Sequence, residues 1–174
     1  MPEYELISPF PEEDLPALWV WFQPYKYKTE YAEMSERQFV EAKRVQEGIT
    51  WAVRREGELG GYLEYEPEGE YVGFMSLLCK TQFFRFFRQQ TIIPALREAI
   101  TSVFNDPVLP RIVLFRPISS NQGMIRLLRS IGAKEAGWME ANGIPERRVM
   151  AIGSGDWKAQ RGYDDQTLQI RYDE

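Results

Sequence analysis

The order of apolar patterns along the chain predicts an α/β domain: a mixed, mostly antiparallel sheet with a parallel pair at its centre, flanked by helices on both faces. Three observations carry that prediction. Three β-rich segments between Ile49 and about Phe83 are joined by Glu56-Gly57-Glu58 and Pro67-Glu68-Gly69-Glu70, connectors short enough to make antiparallel hairpins. A helix-period segment, roughly Gln89 to Phe104, then leads to the apolar run Arg111 to Phe115. Strand, helix and strand in that order imply a crossover, and so parallel pairing in mid-sheet. A second helical pattern before two further strands, Lys134 to Met139 and Arg147 to Ile152, completes the alternation. With 174 residues, 44% of them apolar, the chain can bury one core but hardly two. One domain over 1–153 is expected, with 154–174 as a polar appendage anchored by a few residues such as Trp157.

Each element has its own local signal. Tyr4 to Phe10 reads as a short strand stopped by Pro9 and Pro11. Glu12-Glu13-Asp14 precedes Leu15, Leu18, Trp19 and Phe22, an apolar spacing of three and four with acidic charge where the helix dipole favours it. Ser35 with Gln38 three residues on forms a capping box for a second helix through Gln46, and Gly48 ends it. Ile49–Arg55, Leu59–Glu66 and Tyr71 to about Phe83 are rich in β-branched and aromatic residues. The long helix buries Ile92, Ile93, Leu96, Ile100 and Val103, and Pro94 falls in its first turn, where a missing N–H costs little. Pro117 closes the buried strand, Ser119-Ser120-Asn121 offers a cap to the next helix, and Gly132 stops that helix. The final two strands are joined by Asn142-Gly143-Ile144-Pro145.

Counting residues excludes several chemistries. There is no histidine and one cysteine, Cys79, so the usual zinc ligand sets, histidine-based triads and intramolecular disulfides are ruled out. No metal site is expected. A formal charge of −5 argues against a general attraction to nucleic-acid backbones. The N-terminal residues lack a basic-then-apolar run, and no stretch approaches eighteen apolar residues. These features place the expectation in the cytoplasm, away from membranes.

Two segments resemble the GCN5-related N-acetyltransferase (GNAT) family, as does the order of elements over about Tyr4 to Ile152. In the first, Asn121 at a helix start is followed eleven residues later by Gly132 and then a strand. The second, Phe83-Phe84-Arg85-Phe86-Phe87-Arg88-Gln89-Gln90-Thr91-Ile92-Ile93-Pro94-Ala95-Leu96, falls where the family has an Arg-Gly-x-Gly-x-Gly/Ala loop. Arg88, Ile92, Ala95 and Leu96 keep that register, while Gln89, Thr91 and Ile93 replace the three loop positions. Small residues there let backbone amides approach a pyrophosphate, so the replacements should narrow or close the cradle. The resemblance implies direct acyl transfer from acetyl-coenzyme A to a small-molecule or protein amine. It further implies that amides near Gln82 and Phe83 hold the thioester, that Arg88 and the amides of Gln89, Gln90 and Thr91 hold the pyrophosphate, and that Asn121 contacts the coenzyme. The family's frequent tyrosine, seven after the asparagine, is Leu128 here, which has no proton to give.

Site residues carry plainer readings beside these. Glu64 and Glu66 alternate on one strand face with Tyr62, so they could flank an acceptor amine and act as base, Glu64 foremost, or the pair could be a solvated face. Ser76 and Cys79 lie on the next strand. Ser76 is a candidate near the chemistry, and Cys79 a small core residue without a basic neighbour in sequence. Asn121 could be a plain N-cap. The acidic run Glu64 to Glu70 could draw a cationic acceptor such as a polyamine, or simply be hydrated. The phenylalanine- and cation-rich run Lys80 to Arg88 could pack in the core, dock a partner or stack bases. The alternative to an enzyme is an inactive scaffold, of a kind also phage-encoded. It would meet a protein partner or a second copy through that run, through Tyr25-Lys26-Tyr27-Lys28 or through the C-terminal tail.

Overall fold

The computed structural model describes residues 3–24, 29, 31–106, 111–141 and 144–160; Tyr25 to Lys28 and the tail beyond 160 lie outside the described residues. The strands are β1 (Glu5–Ile7), β2 (Ile49–Arg55), β3 (Glu58–Pro67), β4 (Val72–Cys79), β5 (Ile112–Phe115), β6 (Lys134–Ala141) and β7 (Ile144–Gly153). The helices are α1 (Leu15–Phe22), α2 (Glu36–Arg44), α3 (Thr81–Phe87), α4 (Ile93–Asn105) and α5 (Gln122–Ser130). The sheet runs β1-β2-β3-β4-β5-β7-β6. Every neighbouring pair is antiparallel except β4 and β5, the parallel pair that the crossover through α4 requires.

Helices cover both faces. Leu15 and Leu18 of α1 and Phe39 of α2 pack with Ala52 and Tyr62 on one side. On the other, α4 and α5 bury Leu96, Ile100, Val103, Ile125 and Leu128 against Val53, Leu63, Met75 and Val113. The α2 capping box is formed in both directions, Gln38 N–H to Ser35 Oγ at 3.3 Å and Ser35 N–H to Gln38 Oε1 at 2.8 Å, a cap worth about 1 kcal/mol. That helix ends at Arg44. Gly48 serves a different need from helix termination: its φ is +125°, and a Cβ there would sit 2.2 Å from the Tyr65 carbonyl oxygen.

Three boundaries differ from the sequence reading. The third meander strand ends at Cys79 and the chain turns at once into α3, so Gln82 and Phe83 are helical, not strand residues. Phe83 there is buried, and Phe84 and Phe87 pack against the core, a 3.6-residue pattern that tertiary packing favours over the β propensity of phenylalanine. The long helix likewise has no start at Gln89: a π-helical turn, Arg88–Ile92, links α3 directly to α4. Finally, β6 and β7 extend inward to Ala141 and Ile144, past the predicted Met139 and Arg147. Residues 154–160 of the expected appendage are helical. Trp157 is 5% exposed in the core, near Phe104 and donating from Nε1 to Thr101 Oγ1 at 3.1 Å.

Candidate functional site

The parallel pair separates along its length. Pairing between β4 and β5 covers only Val72 to Phe74 with Ile112 to Leu114. Beyond it, β4 stays with β3, down to Cys79 opposite Gly61. The chain after Phe115 instead follows β7: Arg148 N–H donates to Pro117 O at 2.9 Å, and Ser119 N–H donates to Glu146 O at 2.9 Å. Two backbones tied to different neighbours must diverge, and a gap opens in the sheet. It holds a cavity of about 230 Å³ that runs between both helical layers, with Leu18, Phe39 and Tyr62 from one core on its wall and Met75, Phe115 and Leu128 from the other. The β5-facing edge of residues 75–79 has no strand partner among the described residues, which leaves backbone N–H and C=O groups directed at the gap.

On the α1/α2 side, register decides which side chains meet. Glu66 lies opposite Phe74, Glu64 opposite Ser76, and Tyr62 opposite Leu78, so the β3 and β4 members share one face. All six line the cavity except Phe74, which carries the Arg116 guanidinium 3.8 Å above its ring. Glu64 is buried and ion-paired to Lys43 at 2.9 Å, and the Tyr62 hydroxyl donates to the same carboxylate oxygen. Lys43 Nζ also donates to Tyr31 Oη and Gln46 Oε1, each at 3.3 Å, and lies over the Tyr31, Phe39 and Tyr62 rings.

Burial favours a neutral Glu64, but the Lys43 charge and the hydrogen bonds from Tyr62 and Lys43 together outweigh it and hold the carboxyl below its usual range. Burial likewise opposes the Lys43 charge, and Glu64 with Tyr31 overcomes it, so the ammonium is held above its ordinary value. Burial and then the Glu64 charge drive the Tyr62 phenol far upward. Glu66, two residues on and half-buried, has no hydrogen-bonded or ionic partner among the described residues.

The residues picked out in the sequence fall into two groups. Glu64, Ser76 and Asn121 come together on the cavity wall. Asn121 is the α5 cap, its Oδ1 accepting from Met124 N–H at 3.1 Å, and Leu128 is 1% exposed where the family's tyrosine would stand. Gln82, Phe83, Arg88, Gln89, Gln90 and Thr91 line no part of that cavity. Gln82, Gln89 and Gln90 are exposed, while Thr91 is fully buried with its hydroxyl accepting from Arg55 Nη1 at 3.0 Å. Residues 88–92 lie inside continuous helical backbone, with Ile93 N–H donating to Arg88 O. The open β4 edge suits a small acyl carbonyl.

Burial pushes the Cys79 thiol upward, which disfavours the thiolate that a nucleophile needs. Among the described residues no cluster of three or more His, Cys, Asp or Glu could hold a metal ion, and no helix is long and apolar enough to cross a membrane. Sequence reasoning missed Lys43, Tyr31, Arg116 and Arg147, which also line the cavity. Lys43 and Tyr31 lie 21 and 33 residues from Glu64 with no local pattern linking them, and only packing of α2 on β3 brings them together.

No known family profile matches the chain, and no curated protein matches it. Solved structures do. A spermidine N-acetyltransferase chimera from Vibrio cholerae and hSSAT superposes with a TM-score of 0.71 at 14% identity, covering 89% of this chain and 98% of that one. An aminoglycoside acetyltransferase in complex with coenzyme A and kanamycin gives 0.72 at 16% identity over 91% and 99%. An acetyltransferase of the GNAT family from Streptococcus pneumoniae gives 0.62 at 14% over 86% and 99%. At these identities the shared property is the path of the backbone. The chain has the GNAT fold, the fold on which acetyl-coenzyme A-dependent N-acetyltransferases are built.

Proposed function

We propose that the chain is a divergent member of the family whose fold it shares, and that the gap between β4 and β5 is an N-acyl transfer site. The supporting observation is the cavity through the sheet, with Glu64, Glu66 and Ser76 on one wall and the unpaired edge of β4 beside them. An acyl thioester such as acetyl-coenzyme A would supply the activated acyl group. The open N–H groups of β4 beyond Phe74 can donate to the oxygen on which negative charge grows during attack. An amine attacks only after losing its proton. Glu66, whose carboxylate has no hydrogen-bonded or ionic partner among the described residues, is placed to take it directly or through a water. Glu64 is the base that the strand pattern suggests, but it is tied to Lys43 and Tyr62; its role is to hold the acceptor wall in place. Ser76, opposite Glu64 on β4 and so one strand nearer the gap, can hydrogen-bond the acceptor.

Incubation with acetyl-coenzyme A and a panel of small primary amines, read by free-thiol release and product mass, tests the reading. A mass gain of one acetyl group on an amine is expected. No product, together with no calorimetric heat from the donor at millimolar concentration, refutes it. The helical backbone at 88–92 and Leu128 favour a second reading, a scaffold that binds its ligand without turnover. That reading expects amine binding with no thiol release.

A further inference from the structure

The cavity wall carries Lys43, Arg116 and Arg147 against Glu64 and Glu66, and their arrangement says more than their number. Lys43 and Glu64 close on each other at 2.9 Å and cancel locally. That leaves Glu66 and Arg116 on the same wall, neither of them in an ion pair among the described residues. Phe74 stands between the two: it is opposite Glu66 in the β3–β4 register and opposite Leu114 in the β4–β5 register, and Arg116 is two residues past Leu114 on the same face. The Arg116 guanidinium lies 3.8 Å above that ring. A guanidinium stacked through its face keeps its in-plane N–H donors directed sideways, where a carboxylate can accept two of them. Among the described residues, Glu66 and Arg116 make no ion pair with each other.

We infer that Glu66 and Arg116 hold the two ends of a free α-amino acid, its ammonium at Glu66 and its carboxylate at Arg116. Leu18, Phe22 and Phe39, which line the same cavity, would receive an apolar side chain. A polycation would meet Arg116, and a simple acid would meet Glu66. A ligand that carries both charges satisfies both groups. This assignment names the acceptor for the transfer proposed above but is read by binding alone.

Calorimetry on the full chain without any donor, using L-leucine, L-leucinamide, 4-methylpentanoate and spermidine, tests it. Leucine is expected to bind about tenfold or more tighter than each of the others, the scale of one charged hydrogen bond in a partly buried site. Arg116→Gln and Arg116→Lys should remove and partly restore the preference for leucine over leucinamide, and Glu66→Gln should remove its preference over 4-methylpentanoate. Unchanged thermal unfolding in these variants keeps the comparison valid. Leucinamide or spermidine binding as tightly as leucine, no leucine binding at all, or a preference that ignores Arg116 overturns the assignment. Leucine binding in this pattern without acyl transfer would instead sink the transfer reading and leave the ligand class standing. Acetylation of spermidine but not leucine would do the reverse.

Discussion

The pair of Lys43 and Glu64 offers the sharpest test of how the cavity wall is held. Their side chains are 8% and 9% exposed and share a 2.9 Å contact, so water can replace neither partner's charge. Removing one, as Lys43→Met or Glu64→Gln, strands the other in a low-dielectric wall, at a cost of about 3–5 kcal/mol. For a domain of this size that lowers the melting temperature by roughly 6–20 °C. The double substitution removes both charges at once. The new amide in place of the Glu64 carboxylate would still offer an oxygen to the Tyr62 hydroxyl, and the thioether in place of the Lys43 ammonium would still fill the space between the Tyr31, Phe39 and Tyr62 rings. The double change should cost no more than either single change, which corresponds to a coupling of at least about 3 kcal/mol in a double-mutant cycle. Urea unfolding of the four proteins measures this directly. Additivity within about 0.5 kcal/mol would show that the two charges are separately solvated and that the wall is not braced as described.

The same carboxylate sets a pH dependence. The folded value of Glu64 lies below its ordinary 4.5, so its contribution is present above that pH and disappears as the pH falls through the folded value. Melting temperature followed from about pH 7 to about pH 3 should fall less steeply in Glu64→Gln than in the parent, and parallel slopes would contradict the assignment. Asn121→Ala should cost about 1 kcal/mol through the lost α5 cap, and Asn121→Ser should recover most of it. Failure of serine to rescue, with loss of donor binding, would assign Asn121 to a ligand. Trp157→Ala should destabilise by about 3–5 kcal/mol, since it empties a core position beside Phe104 and leaves Thr101 without its indole donor. A loss under about 1 kcal/mol would mean that 154–160 is loosely attached.

The meander, the α2 capping box, the crossover and the Asn121-to-Gly132 helix were legible because each is written in a local period or a short fixed spacing. The segment after Cys79 was not. Its phenylalanines satisfy a strand pattern as well as a helical one, and only the core beneath Phe83, Phe84 and Phe87 selects the helix. That choice carries Arg88, Gln89, Gln90 and Thr91 into a π turn, off the wall of the cavity between β4 and β5. Within the cavity, Glu64 and Glu66 were visible from strand alternation, and Ser76 from its place on the following strand. The cations on the same wall were not visible, since Lys43 and Arg116 arrive from elements whose own patterns say nothing about β3.

By itself, then, the amino-acid order determined the succession of elements, the parallel pair and the absence of histidine, cystine and glycine-loop chemistry, all of which depend on composition or on neighbours a few residues apart. Only the tertiary structure decided that β4 keeps to β3 while the chain after β5 keeps to β7. The gap between them, and the charges that face each other across it, come from contacts between residues far apart in sequence, where no local period reaches.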